Sequence, residues 1–194
     1  MPTKVLIPAG VLGLGFDQAA LARGVAARPD IICIDGGSTD SGPFYLGTGT
    51  SKYARSVCLS EWRMLMLARA EARVPLVIGS CGTCGTAETV DWMYEITCEI
   101  AAELGQSLTV ARLYADQTAS DIVTAHDAGR LSPLVPAPPV DAAAITACTH
   151  IVALGGSEQI QAALATGADI VLAGRTTDTA TIAAFPLSRN DHAG

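Results

Sequence analysis

The feature that most constrains this chain is a repeated transition from a short hydrophobic run to a polar loop. Five times a run of strand type ends in a loop rich in Gly, Ser, Thr and Asp, and helix-compatible sequence follows each loop. The runs span residues 4–9, 31–34, 76–78, 151–154 and 170–173. In an α/β domain with parallel strands, such loops all emerge at the carboxyl ends of the strands, where helix amino termini also converge. The repeat therefore predicts ligand binding along one edge of a parallel sheet.

The spacing of these units predicts the fold class. Six strand–helix units are predicted in 194 residues, a spacing typical of right-handed βαβ crossovers. The predicted strands are 4–9, 31–34, 74–78, 108–115, 150–154 and 168–173. We predict a single α/β domain over residues 1–194, with a doubly wound, mostly parallel sheet and helices on both faces. A partial (β/α)8-like barrel is the alternative.

Local signals predict several boundaries within this domain. Asp17 and Asp141 are predicted to cap helices, and Gly105 is predicted to end a long amphipathic one. The stretch 131–139 carries four prolines and is predicted to be an irregular connector between two halves. The residues are 49% hydrophobic but only 5% aromatic, so aliphatic side chains must build the core. Such a core is expected for parallel strands covered on both faces.

Charge and cysteine content narrow the classes of partner. The net charge is −7, and the 12 basic residues form no cluster, which argues against nucleic acid and against an anionic membrane surface. The amino terminus has neither a signal-peptide core nor a membrane span, so a cytoplasmic location is expected. We expect a small anionic molecule as ligand and six free thiols rather than disulfides. A homo-oligomer and a complex with a second subunit both remain open.

The loop from residue 35 to residue 49 is the richest in groups that can perform chemistry. Asp35 and Asp40 can act as acid or base or can orient a hydroxyl. Its glycine amides and hydroxyl groups can approach an anion. The candidate binding residues in this loop are Gly36, Gly37, Ser38, Thr39 and Ser41. In the alternative interpretation these polar side chains only satisfy their own turns.

Three other strand ends supply further candidates. Asp116 follows the predicted strand 108–115 and is a third candidate acid or base. Arg175 lies between a strand and a helix start, where a guanidinium and helix amides would favour a carboxylate or phosphate. In the alternative, Asp178 caps that helix and Arg175 is its surface partner. The candidate binding residues at these loops are Ser80, Gly82, Thr83, Arg175, Thr176 and Asp178.

Several familiar motifs are absent or incomplete. Glycines 10, 13 and 15 do not have the spacing of a dinucleotide fingerprint. Cys81 and Cys84 have C-x-x-C spacing, but no second pair completes a zinc set, so small side chains in a glycine turn are favoured over a redox or metal site. His150 begins an apolar run and is interpreted as a packing residue. No metal site and no cofactor are predicted.

The combined order of the loops resembles a known family. The segments IDGGSTDSGPFYLGTG, IGSCGTCGT, ARLYAD, GRLSPL and GADIVLAGRTTDTA are similar to the amino-terminal part of the acyclic terpene utilisation (AtuA) family. The resemblance implies a role in bacterial catabolism of acyclic terpenoids and branched acids through CoA thioesters. It also implies longer chains, so this sequence is expected to be a truncated member.

Two classes of function fit these observations. The first is an enzyme acting on a small carboxylate or an acyl-CoA by hydration, dehydration or isomerisation, that is, a lyase (hydratase) or an isomerase. No cofactor is predicted for it, and a CoA thioester is one of the two expected classes of substrate. The second is a non-catalytic ligand-binding subunit of a larger complex, which the absence of a Ser-His-Asp or Cys-His set favours. Convergence of the candidate aspartates and Arg175 in one pocket would favour the enzyme.

Overall fold

The computed structural model describes residues 2–38 and 42–189 and contains a five-stranded sheet with eight helices in that part of the chain. The strands are β1 (Val5–Leu6), β2 (Ile31–Asp35), β3 (Leu76–Gly79), β4 (Val110–Leu113) and β5 (Ile170–Ala173). The helices are α1 (Gln18–Ala26), α2 (Phe44–Thr48), α3 (Arg55–Ala72), α4 (Ala87–Leu104), α5 (Ala119–Asp127), α6 (Ala142–Thr146), α7 (Ser157–Ala165) and α8 (Asp178–Ser188).

All four strand pairings are parallel, and the strand order is β1-β2-β3-β5-β4. Cross-strand partners in the centre of the sheet are Ile34 with Ile78 and Ile78 with Leu172. Because the strands are parallel, their carboxyl ends share one edge, which we call the carboxyl edge. The loops 10–16, 79–86, 173–178 and the described parts of 35–49 follow strands at this edge, as the sequence predicts.

Both faces of the sheet are buried, which explains the continuous apolar runs of the strands. Side chains at alternate positions point to opposite faces. One face, built on Ile34, Ile78 and Leu172, packs against α1, α3 and α4. The other, built on Cys33, Val77 and Val171, packs against α7 and α8. The structure thus confirms a doubly wound parallel sheet with helices on both faces.

The order in which the chain adds strands to the sheet reverses at β4. From β1 to β4 the chain moves towards one side edge of the sheet, and from β4 it returns to place β5 next to β3. The helices after β1, β2 and β3 lie on the first face, whereas α7 and α8, the helices before and after β5, lie on the second. The neighbouring strands β3 and β5 therefore continue into helices on opposite faces. In open α/β sheets, ligands bind in the crevice that such a reversal leaves at the carboxyl edge.

Local signals locate the helix ends well. Asp17 accepts a hydrogen bond from the Ala19 N–H at the start of α1, and Asp141 does the same for the Ala144 N–H at α6. Gly105 ends α4 in the left-handed conformation that glycine adopts without strain. The connector 131–139 contains no regular element and is exposed throughout. None of the described helices combines the length and apolar character needed to cross a membrane.

The predicted strand 150–154 is wrong. Residues 151–155 instead cross over the carboxyl edge, where the Gln117 N–H donates to Ile151 O (2.8 Å) and the Gly155 N–H donates to Arg175 O (2.8 Å). Only isolated bridges form there, antiparallel at Asp116 and Val152 and parallel at Gly155 and Thr176. A short apolar run can cover the end of a sheet as well as join it. The described sheet accordingly has five strands instead of the predicted six.

Candidate active site at the carboxyl edge

The loops at the carboxyl edge are joined to one another by main-chain hydrogen bonds. The Gly36 N–H donates to Gly79 O (2.7 Å), which ties the loop after β2 to the loop after β3. The Ser80 N–H donates to Gly174 O (2.9 Å), and the Gly174 N–H donates to Leu113 O (2.7 Å). These bonds extend the sheet past its last paired residues into the loops. The described loops of this edge are therefore held to one another through their main chains.

Asp35, the last residue of β2, carries the most unusual carboxyl group of this edge. Its Oδ1 atom is buried and has no hydrogen-bond partner. Burial raises the pKa of Asp35, the Gly37 N–H lowers it, the Asp178 carboxylate raises it, and Arg175 and the Gly36 N–H lower it, with a net increase. A carboxyl group in this state exchanges a proton more readily near neutral pH than an ordinary aspartate does.

Asp35 lines a cavity of about 230 Å³ between the start of the chain, β2 and α8. Asp178, the first residue of α8, lines the same cavity. The remaining lining residues are mostly apolar or small: Ile7, Ala9, Gly10, Cys33, Ile34, Thr181 and Ile182. We call this space the Asp35 cavity. Two carboxyl groups in a largely apolar cavity are an arrangement suited to acid–base chemistry.

Arg175 follows β5 and connects two loops. Its Nη1 donates to Gly37 O (2.9 Å) and to Thr83 O (2.7 Å), and the side chain is half-buried. Both hydrogen bonds described for this guanidinium are thus donated to main-chain carbonyl groups. No ion pair between Arg175 and Asp178 occurs among the described residues, and the cap of α8 is Thr177. The alternative of a surface ion pair at this helix start is therefore wrong.

Arg175 also lines a second cavity, of about 270 Å³, at the ends of β4 and β5. Its other walls include Tyr114, Leu154 and Thr176. The Oγ1 atom of Thr176 is buried and has no hydrogen-bond partner. An unpartnered buried hydroxyl is costly unless a ligand or water satisfies it. Arg175 and Thr176 thus place a positive charge and a polar atom near this second cavity.

The loop 79–86 has a strained backbone. Ser80 and Thr83 are not glycines, yet their φ angles are +49° and +78°. A β-branched residue such as Thr83 rarely adopts a positive φ, and such strain is concentrated at functional sites. Thr83 is held by its Oγ1, which donates to Gly36 O (3.1 Å), and a Cβ atom on Gly37 would lie 2.7 Å from that Oγ1. Close contact between these two loops therefore requires glycine at position 37.

The described part of the chain brings together most of the predicted binding residues. Gly36, Gly37, Ser80, Thr83 and Arg175 are linked by the hydrogen bonds given above, and the Ser80 Oγ donates to Thr176 O (3.3 Å). Ser38 is half-buried after Gly37, and Gly82 lies within the buried loop 79–86. Three predicted residues lie outside the described residues: Thr39, Asp40 and Ser41.

A comparison with protein families identifies the family of this chain. The family model described as acyclic terpene utilisation family protein AtuA matches residues 49–188. The chain belongs to the AtuA family. No curated protein and no solved structure matches it. The range matched by the AtuA model contains the loop 79–86, Asp116 and Arg175, whereas Asp35 precedes it.

In this AtuA family member, Asp116 lies apart from the Asp35 cavity. It is exposed after β4, and the charged neighbours that act on it are Glu88 and His150. One ligand atom from each of Glu88, Asp116 and His150 lies within 4.8 Å of the others. The interpretation of His150 as a packing residue therefore omitted its two carboxylate neighbours. Sequence spacing gave no signal for this cluster, because its members come from three distant segments.

Glu61 is a second residue that sequence reasoning missed. It lies on α3, is 5% exposed, and accepts hydrogen bonds from the Gly13 and Gly15 N–H groups, both at 2.7 Å. These bonds fix the loop after β1 against α3. A single glutamate on a predicted helix is usually exposed, so only the fold reveals the buried position of Glu61. Glu61 positions the loop that follows the first strand.

The cysteines of this AtuA family member do not form a reactive pair. All six are free, and Cys81 and Cys84 are buried. Burial raises the pKa of the Cys81 thiol well above its ordinary value and that of Cys33 to about 12. A buried thiol with a raised pKa is a poor nucleophile, because the thiolate is the reactive form. The redox interpretation of the C-x-x-C spacing therefore gains no support from Cys81.

Proposed function

We propose that this AtuA family member is a cytoplasmic acid–base enzyme of acyclic terpene or branched-acid degradation. It acts on a small carboxylate or an acyl-CoA thioester by hydration, dehydration or isomerisation. The observation that carries this proposal is that Asp35 lines a largely apolar cavity and has a buried Oδ1 atom without a hydrogen-bond partner. Each of these reactions moves a proton to or from a carbon near a carbonyl group, which requires a positioned acid or base.

The charges around Asp35 support such a proton transfer. Asp35, whose pKa is raised by burial, lines the same cavity as Asp178, which is exposed. Two carboxyl groups in different environments can divide the roles of proton donor and proton acceptor. In this proposal Asp35 carries the proton, and the Asp178 carboxylate receives or returns it through the substrate or a water molecule.

Arg175 supports the choice of an anionic substrate. It lines the larger of the two cavities described above, and its charge acts on Asp35. A guanidinium at this point would favour a carboxylate or the phosphates of CoA, and fixed main-chain dipoles nearby would stabilise developing negative charge. Proton transfer by carboxyl groups needs no cofactor. The substrate class is therefore a small acid or its thioester.

Deuterium incorporation tests the proposal directly. The full chain is incubated in deuterated water with a panel of branched, unsaturated and 3-hydroxy acyl-CoA thioesters and the free acids, and products are read by mass spectrometry. We expect one member of the panel to gain deuterium, to gain one water molecule or to lose one. Asp35→Asn should lower that rate at least about 100-fold, the usual contribution of general acid–base catalysis.

The matched control is Asp127→Asn, an exposed aspartate on α5 that contacts only His126 in its described ion pairs. This variant should retain the wild-type rate. The proposal fails if no panel member exchanges or changes mass, or if Asp35→Asn and Asp127→Asn behave alike.

A ligand-binding subunit without catalytic activity is the second candidate. It is favoured by two observations: Asp116 and Arg175 do not line the Asp35 cavity, so the candidate residues do not converge in one pocket, and Arg175 Nη1 and several loop N–H groups are already bonded within the protein. Such a site binds without needing to stabilise a transition state. In that case an acid or CoA ester would co-purify with the chain and be identified by mass spectrometry, and deuterium would not enter it.

A further inference from the structure

Glu88, Asp116 and His150 form the one group of metal-ligating side chains found among the described residues. One atom of each, a carboxylate oxygen or an imidazole nitrogen, lies within 4.8 Å of the others. We call this group the His150 cluster. It is distinct from the Asp35 cavity, because the side-chain charges that act on Asp35 are those of Asp178 and Arg175.

Three separate segments bring the cluster together, and each is fixed by the fold. Glu88 is in the first turn of the long helix α4. Asp116 pairs with Val152 in an antiparallel bridge, and the neighbouring Ala153 N–H donates to Ala115 O (2.7 Å), which places the segment containing His150 beside Asp116. The ligand positions are therefore set by main-chain structure, as preorganised sites require.

Two other carboxylates of α4 are paired with arginines, Glu99 with Arg55 and Asp91 with Arg112. The arginine ion pairs in the described part of the chain include neither Glu88 nor Asp116. Two neighbouring carboxylates beside an imidazole thus form a locally negative site of the kind that attracts a cation.

Access to the cluster is open. Glu88 also lines a cavity of about 350 Å³ with Gly49, Thr50, Ser51, Thr89 and Trp92. Gly49 lies directly against the His150 ring, where a Cβ atom would be 2.9 Å from Nε2. Any side chain at position 49 would therefore press on the imidazole. A glycine at this contact keeps the ring and the adjoining cavity accessible.

We propose that Glu88, Asp116 and His150 bind a divalent transition-metal ion, with Zn²⁺ and Mn²⁺ as the ions of matching chemistry. Imidazole favours transition metals over Mg²⁺ and Ca²⁺, and carboxylates accept both Zn²⁺ and Mn²⁺. Three protein ligands leave at least one coordination position for water or another ligand, as in catalytic rather than structural sites. The inference does not depend on the role assigned to Asp35.

Calorimetric titration of the metal-free chain tests this assignment. The full chain is treated with a chelator, exchanged into metal-free buffer, and titrated separately with Mn²⁺, Zn²⁺ and Mg²⁺. We expect one Mn²⁺ or Zn²⁺ per chain and weaker binding of Mg²⁺. Mn²⁺ is the more informative probe, because the exposed thiols Cys98 and Cys148 compete for Zn²⁺ but bind Mn²⁺ poorly.

Single substitutions locate the bound ion. His150→Ala and Asp116→Asn should each weaken Mn²⁺ binding at least about tenfold. Three controls should bind as the wild type does: His126→Ala removes another described histidine, Glu99→Gln removes a carboxylate from the same helix as Glu88, and Cys148→Ser removes the nearest thiol in sequence. Thermal melting without metal shows whether each variant is folded. Added Mn²⁺ should raise the melting temperature of the wild type and of the three controls, and should have a smaller effect on His150→Ala and Asp116→Asn.

Two results would overturn the proposal. The first is the absence of Mn²⁺ and Zn²⁺ binding by the wild type at millimolar metal. The second is unchanged binding in folded His150→Ala and Asp116→Asn variants, which would place the ion elsewhere. In either case the cluster is a hydrogen-bonded or ionic contact of His150 with its two carboxylates.

Discussion

Glu61 and Asp35 show that carboxyl groups with buried oxygens can have different roles in one protein. Both oxygens of Glu61 accept main-chain hydrogen bonds from the loop after β1, so the group is satisfied and structural. Asp35 has one buried oxygen without a partner, and the residue lines a cavity together with Asp178. A folded protein retains an unsatisfied buried polar atom at a cost of stability. We therefore expect removal of the Asp35 charge to affect stability and function in opposite directions.

Asp35→Asn should raise the melting temperature at neutral pH. The pKa of Asp35 is higher in the folded chain than in the unfolded chain, so the folded state holds its proton longer and loses stability relative to the unfolded state as pH rises. Asparagine does not ionise and escapes this loss. Thermal melts across the pH range should show a difference at neutral pH that disappears below about pH 4, where both states of the wild type are protonated.

Glu61→Gln serves as the comparison for Asp35→Asn. Its amide can accept only one of the two hydrogen bonds and places NH₂ against the other N–H group, so stability should fall by about 1–3 kcal/mol. A stabilised Glu61→Gln, or a destabilised Asp35→Asn at neutral pH, would contradict the distinction between these two carboxylates.

The structure also changes the expectation for Arg175. From the sequence, Arg175→Ala is predicted to weaken anion binding with little effect on folding, because the residue lies in a loop. In the fold its guanidinium donates to Gly37 O and Thr83 O and is half-buried. Loss of these charged hydrogen bonds leaves two carbonyls without partners, so we expect a loss of about 2–4 kcal/mol in the free energy of unfolding, measured by urea denaturation.

Arg130→Ala is the matched control for Arg175→Ala. Arg130 is exposed next to the proline-rich connector, and its replacement should change stability by less than about 0.5 kcal/mol. If the two variants were equally stable, the bonds from Arg175 to the loops would contribute nothing to the fold. Arg175 would then be free to act on a ligand alone.

At the scale of elements, α3 and α4 are joined by a buried polar contact. The Trp62 Nε1 donates to Thr97 Oγ1 (2.9 Å), and the same hydroxyl donates to Met93 O (2.7 Å). Trp62 is fully buried and Thr97 is 1% exposed. The hydroxyl therefore satisfies an indole N–H that has no access to water. This contact fixes the register of the two longest helices on one face of the sheet.

Thr97→Val should lower the free energy of unfolding by about 1–3 kcal/mol, because valine has the same shape and leaves the Trp62 N–H without a partner. Chemical denaturation followed by tryptophan fluorescence measures the change. The control is Thr124→Val on α5, where the hydroxyl makes the same bond to the carbonyl four residues earlier but is exposed. An equal decrease in the free energy of unfolding of the two variants would show that the hydrogen bond from Trp62 does not contribute to stability.

Elements with local signals could be predicted from the sequence, and those that depend on topology could not. Asp17, Asp141 and Gly105 mark helix ends by their own side chains or backbone freedom, so these boundaries were found. The run 150–154 is apolar because it covers the sheet edge, and a short run has no period that distinguishes covering from pairing. The His150 cluster joins residues from segments that are far apart in the sequence, and sequence motifs describe only residues at short, fixed spacings.

At the scale of the whole molecule, the proline-rich connector separates two parts of one sheet. Residues 127–141 are exposed, and Val135 is 96% exposed. Yet β4, before the connector, pairs directly with β5, after it. Asp169, just before β5, also forms an ion pair with Arg69 of α3. The two parts are therefore held together by strand pairing and by packing, and the covalent connection through the connector contributes little to their association.

Limited trypsin digestion should cut first after Arg130, because exposed segments without regular structure are the preferred sites of nicking. The fragments 1–130 and 131–194 should elute together in gel filtration, since β5 remains paired between β3 and β4. Mass spectrometry identifies the cut. A first cut inside α3 or α4, or separation of the fragments under native conditions, would contradict this description of the connector.

The position of β5 between β3 and β4 has a consequence for synthesis on the ribosome. Chains are made from the amino terminus, so β3 and β4 emerge before the strand that must lie between them. At 5–20 residues per second, the interval from Leu113 to Ile170 lasts roughly 3–11 s. During that time β3 and β4 have unpaired edges, which attract other strands. The nascent chain therefore passes through a stage that is vulnerable to aggregation, and the Asp35 cavity, which α8 helps to line, is completed only after that stage.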